Sequence, residues 1–263
     1  MRDLRLVLLG MPLGHSRSPL IHTAALTACG LSGEYTLREV DATGFAAACA
    51  EIASGTLFGA NVTMPHKRAA HDACAQLDPD ATRAGAVNTL VGRGGVLAGW
   101  NTDVVSLRRA IESMPGVGVL ILGAGASAAA ALVAAGSRDV TGAARRLDEA
   151  ERLVEEIRPV SRVVPWATSM PGAVVVNATA LGMSGEALPE GVLEEAAGLI
   201  DLPYGTIPTP AIRDAAVRGL PAVDGVSLLV AQAAESFEIW TGQAAPREIM
   251  EQAARASGRL KAP

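Results

Sequence analysis

At 263 residues the chain has room for one large domain or two modest ones, and with 49% hydrophobic but only 3% aromatic residues its core is aliphatic. A formal net charge of -5 argues against a nucleic-acid partner, because no basic face is implied. Cys29, Cys49 and Cys74 are scattered and form no CxxC pair, which suits reduced thiols in a cytoplasm rather than a disulfide frame or a zinc site.

The unbroken apolar run Leu4–Leu9 predicts a buried parallel strand. His15, Arg17 and His22 interrupt the apolar opening, which argues against an export signal. Ser18 is expected as a helix N-cap with Pro19 as the first helical residue, and Gly30 closes that helix. "EYTLREV" alternates like a strand, "TGFAAACAEIA" is helical, and "LFGANVT" is a short strand running into "MPHKRAAHDACA". Pro65 is expected to begin the next helix, which places Lys67 in its first turn. The helix dipole opposes a cation there, lowers its pKa and favours proton exchange near neutral pH; a surface lysine reaching into water is the competing reading. After "AGAVNTLV" a glycine-paired hairpin, "GRGGVLAGWNTD", leads to Asp103. "NTD" is either an Asx turn capping the next helix or a polar group at a cleft between lobes, where Asp103 would orient the Lys67 ammonium.

From Asp103 strand and helix alternate, as in a doubly wound parallel sheet. The uncharged stretch Ser113–Ser137 is long enough to span a bilayer, but its glycines and alanines read as strand, tight turn and helix, so no membrane segment is expected. In "VGVLILGAGASAAA", Gly123, Gly125 and Ala128 fit the dinucleotide fingerprint: a tight turn, room for a pyrophosphate, and close helix–strand contact. The next strand ends in Ala144-Arg145-Arg146 where an NAD site carries an acid, so NADP is preferred over NAD; two arginines that only solvate a helix start are the alternative. The fold class is therefore α/β in two lobes: residues 1–102 completed by 226–263, and a Rossmann-type lobe of residues 103–225, with the active site in the cleft. None of the four histidines has metal-ligand spacing, so no metal is expected.

In order along the chain, "HSRSP", "NVTMPHK", "AVNT", "NTD", the GAG turn, "NATALGM", "Y…TP" and "DGVSLLVAQAAESFEIWTG" resemble the shikimate dehydrogenase family over nearly the whole length. The resemblance implies NADP(H)-dependent interconversion of 3-dehydroshikimate and shikimate. By it, Lys67 is the acid/base and Asp103 its partner. Ser16 and Ser18 hold the substrate carboxylate, Asn61, Thr63, Asn88 and Gln232 bind ring hydroxyls or the carbonyl, and Tyr204 lines the same pocket. Cofactor contacts fall on Gly123, Ala124, Gly125, Ala126, Ser127, Arg145, Arg146, Leu202 and Gly225. The implied partner is this small-molecule substrate, not nucleic acid or membrane, in a cytoplasmic monomer or homodimer. The chain departs from the family pattern at Thr23, at Val104, Val105 and Ser106, at Ala144 and at Gly205. A quinate or aminoshikimate dehydrogenase paralogue, and a catalytically silent NADP-binding sensor, are the alternatives.

Overall fold

The computed structural model describes residues 3–205 and 207–256. The chain divides into two compact units, one holding the sequence through Thr102 and from Leu229 on, the other holding Asp103–Leu228. No helix among the described residues is long and apolar enough to cross a membrane.

The first unit opens with strand β1 (Leu4–Gly10), buried at all but one position, and helix α1 (Ser18–Ala28). The expected cap is displaced by one residue: Arg17 is the N-cap, without a side-chain bond, and Ser18 is already helical. The reason is local, because the Ser18 N–H finds the Ser16 hydroxyl instead (3.3 Å). Strand β2 (Gly33–Glu39) follows, then α2 (Ala42–Ser54), capped by Asp41 accepting from Gly44 N at 2.8 Å. Strand β3 (Gly59–Val62) leads to α3 (Lys67–Ala73), β4 (Gln76–Leu77) and α4 (Pro79–Ala84), where Asp78 caps through Ala81 N. Strands β5 (Thr89–Arg93) and β6 (Val96–Trp100) form a hairpin whose turn residues Gly94 and Gly95 both have positive φ, +59° and +83°.

The second unit runs through α5 (Thr102–Glu112), β7 (Gly118–Leu122), α6 (Ala126–Ala134), β8 (Asp139–Ala143), α7 (Leu147–Ile157) and β9 (Arg162–Val164). It continues with β10 (Ala173–Asn177), β11 (Gly198–Asp201), α8 (Pro210–Val217) and β12 (Ala222–Val223). Helices α9 (Gly225–Thr241) and α10 (Arg247–Ala256) end the described chain. From Leu229 these helices belong to the first unit, within which Arg17 bonds the Ala254 carbonyl at the end of α10 (2.9 Å).

Among the described residues the strands form two six-stranded sheets. The first has the order β2-β1-β3-β5-β6-β4, with β1 parallel to β2 and β3, and β5 antiparallel to both β3 and β6. Leu9, Phe45, Ile52 and Leu90 sit in the core of that unit. The second sheet is parallel throughout, in the order β12-β11-β10-β7-β8-β9. Leu120, Leu122, Val175 and Leu199 fill its core. Renumbered from β7, that order is 3-2-1-4-5-6 read from the β9 edge, the doubly wound dinucleotide topology with its switch point between β7 and β10.

Candidate active site

Topology alone gathers the polar residues of the first unit. Because β1, β3 and β6 run the same way and β5 runs against them, the ends of β1, β3 and β6 and the start of β5 share one sheet edge. The Ser16–Ser18 loop, the Thr63–Lys67 loop, Asn88 and Thr102 all lie there. Main-chain bonds stitch these loops together: Met11 N to Met64 O, Val87 N to Lys67 O, and Asn88 N to Trp100 O, all 2.9–3.0 Å.

Ser16 and Ser18 are both buried, with their hydroxyls 3.2 Å apart. Glu39 holds the loop ahead of them by accepting from Leu13 N at 2.6 Å. Lys67 is the first residue of α3, and Pro65 stands outside the helix, which corrects the expected start. His66 takes the N-cap position because its ring is anchored: it is buried, stacks on Phe45 at 4.8 Å, and shares a 2.8 Å bond with Val40 O. Lys67 keeps its place in the first turn and is only partly buried, as is Thr63.

Behind this edge lies a layer of buried amides and hydroxyls. Asn88, 3% exposed, accepts from Thr102 N at 2.8 Å and turns its own N–H groups to the Thr102 hydroxyl (3.0 Å) and Gln232 Oε1 (3.4 Å). Asn61 accepts from the Tyr35 hydroxyl (2.8 Å) and donates to Asn88 O, Thr89 Oγ1 and Ser236 Oγ at 2.9–3.1 Å. Gln232, on α9, donates to Leu229 O and is partly exposed. Asn101, buried, donates through Nδ2 to Ala86 O at 2.9 Å, which fixes the chain just ahead of α5. Tyr35, Thr89, Thr102, Ser236 and His66 escape the sequence reading. Ser236 carries a signal, since it lies one turn beyond Gln232 on the same helix face.

Beside Asn61, His22 is fully buried, stacked on Tyr35 at 4.3 Å and 12°, with Trp240 5.2 Å away. Neither ring nitrogen reaches a hydrogen-bond partner. Burial lowers its pKa to about 3, the neighbouring Asn61 side chain opposing this in part.

In the second unit Gly123 directly follows β7 with φ +121°, and a Cβ there would approach Ala178 O to 3.0 Å. Gly125 is the N-cap of α6 and has no side-chain cap, so the first N–H groups of the helix carry no such partner. A Cβ on Gly125 would meet nothing within 4 Å, while Ala128 is fully buried against the sheet. Turn, donors and open space together fit a pyrophosphate. Arg145 and Arg146 are exposed just beyond β8, and Arg146 is already paired with Glu149 at 2.8 Å. Asp103 stands in the first turn of α5, where the dipole favours a carboxylate, and its carbonyl accepts from the Ser106 hydroxyl.

At the ends of β10 and β11, buried Asn177 and Asp201 bond each other (2.7 Å), and Thr209 donates to Asp201. Burial raises the Asp201 carboxyl above its usual range, with these two donors opposing. The cluster ties the start of the loop that carries Leu202 and Tyr204 to the end of β10. Gly225 belongs here for a packing reason: a Cβ on it would fall 2.3 Å from Leu202 O.

A parallel sheet in dinucleotide order, a glycine turn at its switch point and a separate α/β unit with a polar edge define a two-unit Rossmann-type α/β protein. Residues 8–90 match the model of the shikimate dehydrogenase substrate binding domain, and residues 225–255 that of the shikimate 5'-dehydrogenase C-terminal domain. The chain is 36% identical to the shikimate dehydrogenase (NADP(+)) of Geobacter sp. strain M21, over 97% of this chain and 95% of that one. It is 39% identical to that of Anaeromyxobacter sp. strain Fw109-5, over 95% of each. The shikimate 5-dehydrogenase of Thermus thermophilus, solved with NADP(H) and shikimate, superposes with a TM-score of 0.88 at 33% identity, covering 96% of this chain and 99% of that one. The chain belongs to the shikimate dehydrogenase family.

Proposed function

We propose that the chain reversibly reduces 3-dehydroshikimate to shikimate with NADPH. The observation that carries this reading is the gathering of Ser16, Ser18, Thr63, Lys67 and Asn88 along one sheet edge, with Gln232 bonded to Asn88, in a chain whose relatives are named for that activity. In the balanced reaction, ketone, NADPH and a proton yield the secondary alcohol and NADP+.

Bound cofactor supplies the hydride in reduction and takes it up in oxidation. Lys67 delivers the proton to the carbonyl oxygen as charge develops there, and recovers it in reverse. Asp103 is its partner, orienting the ammonium. The hydroxyls of Ser16 and Ser18 hold the substrate carboxylate, Ser16 turning to it the hydrogen that it otherwise donates to Ser18. Thr63, Asn88 and Gln232 read the ring hydroxyls, Asn61 supports Asn88 from behind, and Tyr204 borders the ring. The backbone from Gly123 to Ser127 holds the pyrophosphate, with Leu202 and Gly225 contributing main-chain surface. Arg145 and Arg146 would hold the 2′-phosphate, Arg145 the more readily because Arg146 is paired with Glu149.

The test is the absorbance of reduced nicotinamide formed from shikimate and NADP+, run beside quinate and beside NAD+. The expected result is oxidation of shikimate with NADP+ at the greatest kcat/KM. No turnover of shikimate overturns the reading, and a preference for quinate redirects it to that substrate.

A further inference from the structure

We propose that Tyr35 and Ser236, neither on the substrate-facing edge, are positioning residues that set how Asn88 and Gln232 meet the substrate. The inference rests on the function proposed above.

The polarity of the buried layer is dictated by main-chain groups, which cannot exchange roles. Thr102 N–H only donates, so the oxygen of Asn88 faces it at 2.8 Å and the nitrogen of Asn88 faces Gln232. Asn88 C=O only accepts, so Asn61 must turn Nδ2 toward it, at 3.1 Å. Leu229 C=O only accepts, so Gln232 turns Nε2 that way, at 3.0 Å. Three amides are thereby oriented as one unit.

Asn61 connects this unit to the rest of the fold, and its two N–H groups are shared among Asn88 O, Thr89 Oγ1 and Ser236 Oγ. Its oxygen, 26 residues along the chain from Tyr35, is held by the phenol at 2.8 Å. The direction of that phenol is fixed in turn, because its ring stacks on His22 and lies 6.2 Å from Trp240. Without the Tyr35 hydroxyl, the buried carbonyl of Asn61 loses that donor, and the amide relaxes by turning or by admitting water. Either shift reaches Asn88, whose carbonyl is clamped between Val62 N (2.9 Å) and Asn61 Nδ2.

Ser236 acts from the helix side. Its hydroxyl donates to Gln232 O (3.0 Å), which leaves its lone pairs for Asn61 Nδ2 (2.9 Å) and the Thr89 hydroxyl (2.8 Å). It thus seats the Gln232 turn of α9 against β3 and β5. Removing it frees that turn at the point where Gln232 meets Asn88.

The experiment compares Tyr35→Phe, Ser236→Ala and the double variant with wild type, measuring kcat, KM for shikimate, KM for NADP+ and thermal stability. Losing one hydrogen bond of this kind weakens binding by about three- to tenfold, so KM for shikimate should rise by that factor while kcat and KM for NADP+ hold within about twofold. Since both residues bond Asn61, the double variant should fall short of the product of the single effects. Tyr35→Phe keeps the aromatic stack, so it decides the matter if Ser236→Ala fails to fold. An unchanged shikimate KM in Tyr35→Phe overturns the proposal, and so does a parallel loss of kcat, both KM values and stability, which is the signature of a merely structural role. Wild type without activity on shikimate overturns the proposed function and this inference together; wild-type activity with an unchanged KM in the variants overturns this inference alone.

Discussion

Acid should weaken this fold through His22, and the size of the effect follows from its burial. Histidine titrates near 6.5 in an unfolded chain, whereas His22 in the fold titrates at about 3. Between those values the unfolded state binds one more proton than the folded state, so stability is full above pH 6.5 and declines as pH falls toward 3. At about 1.4 kcal/mol per pH unit, moving from pH 7 to pH 5 removes about 2 kcal/mol. Glu51 and Glu186, whose carboxyls are lowered by their hydrogen bonds, lose stability only below the ordinary carboxylate range. Asp201, raised by burial, works in the opposite direction and gains stability with acid. The variant His22→Phe keeps a flat ring against Tyr35 and removes the titrating group, so it isolates the term. Urea denaturation at pH 7 and pH 5, followed by circular dichroism and tryptophan fluorescence, should show the variant losing about 2 kcal/mol less than wild type on acidification. Equal losses in the two proteins would refute the reasoning.

Lys67→Ala should lower turnover by at least about a hundredfold while calorimetry finds NADP+ binding unchanged; near-normal turnover in a folded variant removes Lys67 from the acid/base role. Arg145→Ala should weaken NADP+ binding by about tenfold or more and leave NAD+ binding unaltered, with a smaller effect from Arg146→Ala because Glu149 already holds that guanidinium; equal losses for both cofactors would show that the arginines do not face the 2′-phosphate. Ser16→Ala and Ser18→Ala should each raise KM for shikimate, but only Ser16→Ala removes the acceptor for the first N–H of α1, so the larger fall in melting temperature belongs to Ser16. A larger fall for Ser18 would restore it as the helix cap.

Elements built on one long period are legible in the sequence. Helix α7 occupies "LDEAERLVEEI" from end to end, the Gly94-Gly95 pair marks the hairpin, and the glycine turn after β7 lies where the fingerprint places it. Strands β4 and β12 have two residues each and cannot show a period. The starts of α1 and α3 differ by one and two residues from the positions that proline alone marks. In α3 the true cap is chosen by the packing of His66 on Phe45, a contact across 21 residues that no local pattern contains. Tyr35 reads only as an inward position of an alternating strand, and its bond to Asn61 depends on which strand lies beside β1.

Glycine shows why residue type alone stops short of function. Gly125 and Gly225 are both expected at the cofactor, one from a fingerprint and one from the resemblance. At Gly125 a side chain would enter open space before the uncapped end of α6, so the glycine leaves room for something outside the protein. At Gly225 a side chain would collide with the carbonyls of Leu202 and Pro203, so the glycine admits the protein's own backbone. The same distinction separates the polar residues of the first unit. The Ser16–Ser18 pair and Lys67 stand beyond strand ends at the starts of α1 and α3, whereas Asn61 spends its amide on four protein partners. A polar residue whose bonds are all internal shapes a site by holding its neighbours, and that role is set by three-dimensional partners, not by the motif in which the residue stands.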